Sequence, residues 1–186
     1  MTRTLALLAA LAASACTLPP PGPSASLPPD AVVGAGDPVR TAVFQTSSAL
    51  GAPARLAQNP AAAARTVAQL EYLTVELNSG PRWAGRFALP SQNLREARAD
   101  WRSAMGIAPS AQPQQVIDGL YAASRALNVG QRGSAAAALS PDVFIGGGEA
   151  TLQRLAALPP LPRANVAMAQ VASNLERREG ESRPRF

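Results

Sequence analysis

Cys16 is the residue whose surroundings best define its chemistry. It is the only cysteine of the 186-residue chain, and it follows the apolar run Leu5–Ala13 and two small residues. Arg3 stands before the run. A basic start, a short apolar centre and a small-residue end form the layout of an export signal. A bilayer crossing needs about 20 apolar residues, more than this run supplies. We therefore expect residues 1–15 to be a signal peptide that is removed.

The residues Ala13-Ser14-Ala15-Cys16 resemble the lipobox of bacterial lipoproteins. In that family the cysteine thiol is acylated and becomes the new N-terminus. The resemblance implies a lipid anchor on Cys16, and Thr17, where retained lipoproteins carry Asp, implies the periplasmic face of the outer membrane. It covers only the N-terminus and implies no family for the mature domain. Ala13-Ser14-Ala15 is also an A-x-A cleavage site, so the alternative is a soluble periplasmic or secreted protein with a free thiol.

The chain has no His and no Lys, which limits its catalytic options. Ser-His-Asp triads, Cys-His pairs, Ser-Lys dyads and Schiff bases all need one of these residues. A zinc site made only of carboxylates would be unusual, so we expect no metal and no cofactor. Carboxylate acid–base chemistry on glycans remains, but the dipeptide Glu181-Ser182 lies in a polar sequence that would not raise the glutamate pKa. We therefore expect a non-catalytic protein.

Cations and aromatic rings alternate in the segment Arg82-Trp83-Ala84-Gly85-Arg86-Phe87. Trp and Arg are typical contact residues of protein interfaces, so Arg82, Trp83, Arg86 and Phe87 are candidates for partner binding. The alternative is that the two rings close one end of a helical bundle while the arginines remain in water.

Three further arginines, Arg95, Arg98 and Arg102, share one flank of a predicted helix. Arg98 and Arg102 are four residues apart, so they repel each other instead of pairing. One candidate for their neutralisation is Glu71 or Glu76 on the preceding antiparallel helix. The other is an anionic surface of a partner or a lipid headgroup, which makes these three arginines candidate binding residues.

Apolar residues at helical spacing indicate the elements that carry these side chains. Asp37-Pro38 and Asn59-Pro60 are helix starts, because Asp and Asn cap well and Pro suits the first helical position. Gly106 is a stop signal. The four predicted long helices are 38–50, 60–78, 91–105 and 112–128.

Shorter helical segments follow these four. The spacing predicts a turn or helix over 134–139, a helix that starts at Ser140-Pro141, and helices over 149–158 and after the prolines at 159–162. No segment alternates with period two. The predicted fold is an all-α helical bundle. Its predicted parts are a signal peptide (1–15), an unstructured Pro-rich linker after the anchor (16–36), one helical domain (37–179) and a flexible tail (180–186).

Composition limits the partners. Every basic residue is Arg, and the net charge of +5 is far from the concentrated basic stripe of a nucleic-acid-binding protein. We predict a binding or scaffolding module of the bacterial cell envelope, with a membrane anchor and an anionic partner. The alternatives are a periplasmic carrier of an apolar ligand held between helices and, third, a carboxylate-dependent enzyme that acts on glycans.

Overall fold

The computed structural model describes residues 23–32 and 36–182, with side chains through Arg178. The predicted signal peptide, Cys16 and the first residues of the predicted linker lie outside the described residues. None of the described helices has the combination of length and hydropathy that a bilayer crossing requires.

The described residues form an all-α fold, as predicted. Two short 3-10 turns cover Pro29–Ala31 and Pro53–Arg55. The α-helices are α1 (Pro38–Gly51), α2 (Pro60–Ser79), α3 (Ala88–Met105), α4 (Pro113–Asn128), α5 (Arg132–Ala137), α6 (Gly147–Ala156) and α7 (Pro162–Ser182). The bounds of the four predicted long helices are confirmed to within three residues.

Local capping chemistry explains where these helices begin and end. The Asp37 carboxylate accepts the backbone N–H of Arg40 at 3.1 Å, and the Asn59 side chain accepts that of Ala62 at 3.0 Å. Each side chain satisfies one of the free N–H groups of a helix start. Gly106 ends α3 in the left-handed region, with φ of 67°, which glycine adopts without steric cost.

One C-terminal prediction was wrong. No helix starts at Ser140-Pro141, because residues 143–145 bond instead to the chain after α3. Ala108 donates to the Val143 carbonyl at 2.9 Å, and Ile145 donates to the Gly106 carbonyl at 2.7 Å. The backbone of α7 is helical to Ser182, and residues 183–186 of the predicted flexible tail (180–186) lie outside the described residues.

Helix α2 is the centre of the bundle. Fourteen of its twenty residues are buried, because α1, α3, α4 and α6 all pack against it. Helix α7 closes the outer side by packing on α1 and α3. The alanines at 61, 63, 64 and 68 of α2 are buried, and their small size leaves room for close neighbours on several sides.

The end of the predicted linker is ordered against the domain. The backbone N–H of Ser26 donates to the Gln114 side chain at 2.8 Å, and Asp30 pairs with Arg125 at 3.1 Å. Ala31 is buried, and Leu27 packs against the core. Within the predicted unstructured linker (16–36), residues 23–32 therefore lie against the domain, whereas residues 16–22 and 33–35 lie outside the described residues. We call residues 23–32 the strap.

Candidate functional site

A buried carboxylate organises the candidate site. Glu71 lies in the middle of α2, between Leu70 and Tyr72, and its side chain is 0% exposed. It accepts five hydrogen bonds: two from Arg98, two from Arg102 and one from the indole N–H of Trp101. The shortest contact joins Arg98 Nη2 to Glu71 Oε2 at 2.6 Å. Helix α3 presents these donors because positions 98, 101 and 102 share one face.

Two opposing effects set the protonation of Glu71. Burial favours the neutral carboxyl and would raise the pKa. The hydrogen bonds and charges of Arg102 and Arg98 act in the opposite direction and outweigh burial, so the pKa of Glu71 is lowered from 4.5. Glu71 is therefore a carboxylate at neutral pH, with both oxygens occupied.

Arg102 makes its polar contacts within the fold. Its Nε and Nη2 donate to Glu71, and its remaining N–H groups donate to the carbonyls of Ala108, Pro109 and Ala111. All five guanidinium donors are thus engaged, and the side chain is 9% exposed. Arg102 therefore has no unused donor for a partner, although its side chain lines the groove described below.

Arg98 is only partly engaged. Its Nε and one N–H of Nη2 donate to the same oxygen of Glu71, so three of its five donors have no acceptor among the described residues. Its side chain is 26% exposed. The prediction that Glu71 or Glu76 neutralises these arginines is confirmed for Glu71. Arg98 nevertheless keeps free donors on the outer side.

The free side of Arg98 opens into a groove, which we call the arginine groove. Its volume is about 620 Å³, and its lining includes Arg95, Arg98, Arg102, Ser103, Ile107 and Ile145. No Asp or Glu lines it. One carboxylate neutralises two guanidinium groups beneath it, so the cluster retains one positive charge, and exposed Arg95 adds another. Ile145, which is 55% exposed, gives the groove an apolar side.

The second predicted surface, Arg82–Phe87, is placed differently from the prediction. Trp83 is 8% exposed and Phe87 is buried, and the two rings stack with centroids 6.0 Å apart. Arg82 and Arg86 lie over the Trp83 ring at 5.5 and 6.0 Å, and Arg82 also pairs with Asp37 at 2.9 Å. The burial of both rings agrees with the alternative in which they close one end of the bundle, while Arg82 and Arg86 are exposed. Partner binding by this segment stays a prediction.

The described carboxyl groups offer one candidate for acid–base chemistry. Burial and repulsion from Asp37 raise the pKa of Glu76. Glu76 and Tyr72 border a groove of about 390 Å³ whose other lining is mostly the strap itself. Glu76 is partly exposed and faces this groove together with the strap. No group of three or more His, Cys, Asp or Glu residues that could hold a metal occurs within the described residues.

Trp101 and Arg154 belong to the site but are not among the residues predicted from the sequence. The Trp101 ring is fully buried, and its indole N–H donates to Glu71 at 2.9 Å. Arg154 of α6 donates to the carbonyls of Met105 and Ile145, which ties the end of α3 to one side of the arginine groove. The sequence feature that could have indicated this site is Glu71 itself, because a carboxylate inside an apolar run needs buried partners.

Comparison with protein-family models, with curated proteins and with solved structures finds no match to this chain.

Proposed function

We propose that this protein is a non-catalytic binding module of the bacterial cell envelope, lipid-anchored through Cys16 to the periplasmic face of the outer membrane, and that it holds an anionic partner in the arginine groove. The observation that carries the proposal is the charge imbalance at Glu71, where two arginines share one carboxylate beside an acid-free groove.

The groove chemistry favours one kind of partner. Arg98 can offer its unused N–H donors, and Arg95 can complete a two-pronged contact to a carboxylate, since guanidinium groups match carboxylates in geometry. Ile145 and Ile107 supply apolar contacts at the same groove. The fitting partner is an envelope protein segment that presents an acidic side chain next to an apolar one.

The anchor and the binding role support each other in this proposal. The lipobox-like sequence before Cys16 would keep the domain at a membrane surface, and a domain that stays at one surface is suited to holding a partner there. Glu71 itself is not suited to acid–base chemistry, because its pKa is lowered and neither carboxylate oxygen is free.

Site-specific photo-crosslinking in cells tests the proposal. A photo-reactive residue at the exposed groove position Ser103 should give a discrete adduct with an envelope protein. The matched control is the exposed Ser173 on α7, which lies outside the groove and should give no such adduct. Charge reversal by Arg95→Glu should reduce the Ser103 adduct at least several-fold. Equal labelling at the two serines, or an adduct that Arg95→Glu leaves unchanged, would contradict the proposal.

A further inference from the structure

A second groove lies between α1, the turn at residues 53–55 and the first half of α2. Its volume is about 670 Å³, and it shares no lining residue with the arginine groove. This volume falls in the range of about 300–1,000 Å³ that is usual for small-molecule sites. We call it the Phe44 groove.

One wall of the Phe44 groove is apolar. Phe44 is half-buried, Leu56 is buried, and Ala49, Ala61 and Ala62 line the same groove. Alanine side chains on α1 and α2 leave the space that larger residues would fill. Such a wall gains free energy when it takes apolar ligand surface out of water.

The same groove carries two cations and no acid. Arg55 comes from the 3-10 turn and Arg65 from α2, and both side chains are exposed. Neither forms an ion pair with a carboxylate in the part of the chain that the structure describes. No Asp or Glu lines the groove, so an anionic group there would be attracted by the two arginines and not repelled by a carboxylate of the lining.

The polar side of the groove is fixed by its own hydrogen bonds. Thr46 donates to Gln69 Oε1 at 3.0 Å, and the Gln69 amide donates in turn to Gln45. Between Leu56 and Asn59 the backbone of Gln58 adopts φ of 61°, a conformation that costs free energy in a non-glycine residue. Its N–H is held by the Ala156 carbonyl at 3.2 Å. The groove shape is therefore built into the fold before any ligand binds.

We infer that the Phe44 groove binds an amphiphilic anion, namely a single acyl chain that ends in a carboxylate or a phosphate. The chain would lie against Phe44, Leu56 and the alanines, and the head group would meet Arg55 and Arg65. This inference does not depend on the proposed partner at the arginine groove, which uses different residues on a different surface.

Titration with defined probes tests the inference and its chemistry. The full-length chain with Cys16→Ser, which carries no acyl group of its own, is titrated with dodecanoate below its micellar concentration. Saturable binding at one site per chain is expected. The affinity for dodecyl phosphate, compared with that for dodecanoate, shows whether the groove prefers a phosphate or a carboxylate head group. Dodecanol should bind at least tenfold more weakly, and inorganic phosphate alone should show no saturable binding.

Paired variants assign the binding to the groove. Arg55→Ala with Arg65→Ala should weaken dodecanoate binding at least tenfold. Arg132→Ala with Arg177→Ala removes the same charge from other exposed surfaces and should leave the affinity unchanged. Ala62→Phe should block the groove while the helical circular dichroism signal is retained.

The inference would be overturned by the absence of saturable dodecanoate binding, by an equal loss of affinity in both double-arginine variants, or by dodecanol binding as tight as dodecanoate. A folded Ala62→Phe variant that binds normally would equally exclude the Phe44 groove as the site.

Discussion

The substitution Glu71→Gln tests the central cluster most directly. It keeps the side-chain shape but removes the charge that two guanidinium groups share. The glutamine oxygen can still accept from Trp101 and from Arg102 Nε. Its NH₂ group would then face the N–H groups of Arg98 and Arg102 that now donate to Oε2. All of these groups are hydrogen-bond donors, so none of them would find an acceptor there.

The magnitude follows from the burial of the cluster. Removing one partner of a buried ion pair costs about 3–5 kcal/mol, because the other charge stays buried without compensation. Arg102 is in that position, while the partly exposed Arg98 can turn to water. For a domain of this size each kcal/mol lowers the melting temperature by about 2–4 °C. We expect a decrease of about 10 °C, measured by thermal and urea unfolding.

A matched control separates this cluster from ordinary surface charge. Glu96→Gln on the exposed side of α3 removes a charge but keeps an oxygen that can accept the N–H of Gln92, which now donates to Glu96 at 3.0 Å. It should change stability by less than about 0.5 kcal/mol. The triple change of Glu71→Leu, Arg98→Met and Arg102→Met should recover only part of the loss. It removes the buried charges, but it leaves the Trp101 indole N–H and the carbonyls of Ala108, Pro109 and Ala111 without these partners. A Glu71→Gln variant within about 1 kcal/mol of the parent would refute the reasoning.

The pH dependence gives a second check on Glu71. Its pKa in the folded protein is lower than the ordinary value of 4.5, so the folded state holds fewer protons than the unfolded state between the two values. The stabilisation is therefore complete above about pH 4.5 and is lost as the pH falls toward the folded-state pKa. The stability difference between parent and Glu71→Gln should narrow over that acidic range.

Further predictions concern the bundle end, the strap and the anchor. Trp83→Ala should lower the free energy of unfolding by about 3–5 kcal/mol, whereas Arg86→Ala beside it should cost less than about 0.5 kcal/mol; equal effects would place the ring outside the core. The Ser26 amide should exchange slowly with solvent deuterium, and Gln114→Ala should speed that exchange, which an unstructured linker would not show. Cys16→Ser should release the protein from the membrane fraction, because acyl anchoring is lost with the thiol, and mass spectrometry of the mature N-terminus should find acyl groups on Cys16 in the parent.

The long helices could be predicted from sequence because their signals are local. Asp37-Pro38, Asn59-Pro60 and Gly106 each act within one helical turn. The spacing of apolar residues also indicates the inner face of α3, because Leu94, Ala97, Trp101 and Met105 recur every three or four residues and are all fully buried. These features need no knowledge of how one helix lies against another.

The site could be predicted only in part, because its chemistry depends on the register between helices. The sequence places Arg95, Arg98 and Arg102 on one flank of α3, but only the packing of α3 on α2 decides which of them reaches Glu71. In the same way, composition shows the prolines of the strap but not the contacts that Ala31 and Ser26 find on the domain. Sequence patterns within one segment predict its secondary structure, but they do not predict which residues of other segments it contacts.

The contacts of the strap limit how far the domain can lie from a membrane anchor at Cys16. If Cys16 is the membrane attachment point, only residues 17–22 separate it from the docked segment. A chain extends by at most about 3.5 Å per residue, so the distance from Cys16 to Pro23 cannot exceed about 25 Å. With the strap detached up to Asp37, the limit would be about 70 Å by the same measure. The contacts of Ser26 with Gln114 and of Asp30 with Arg125 would thus set the largest distance from the membrane at which the domain can bind a partner.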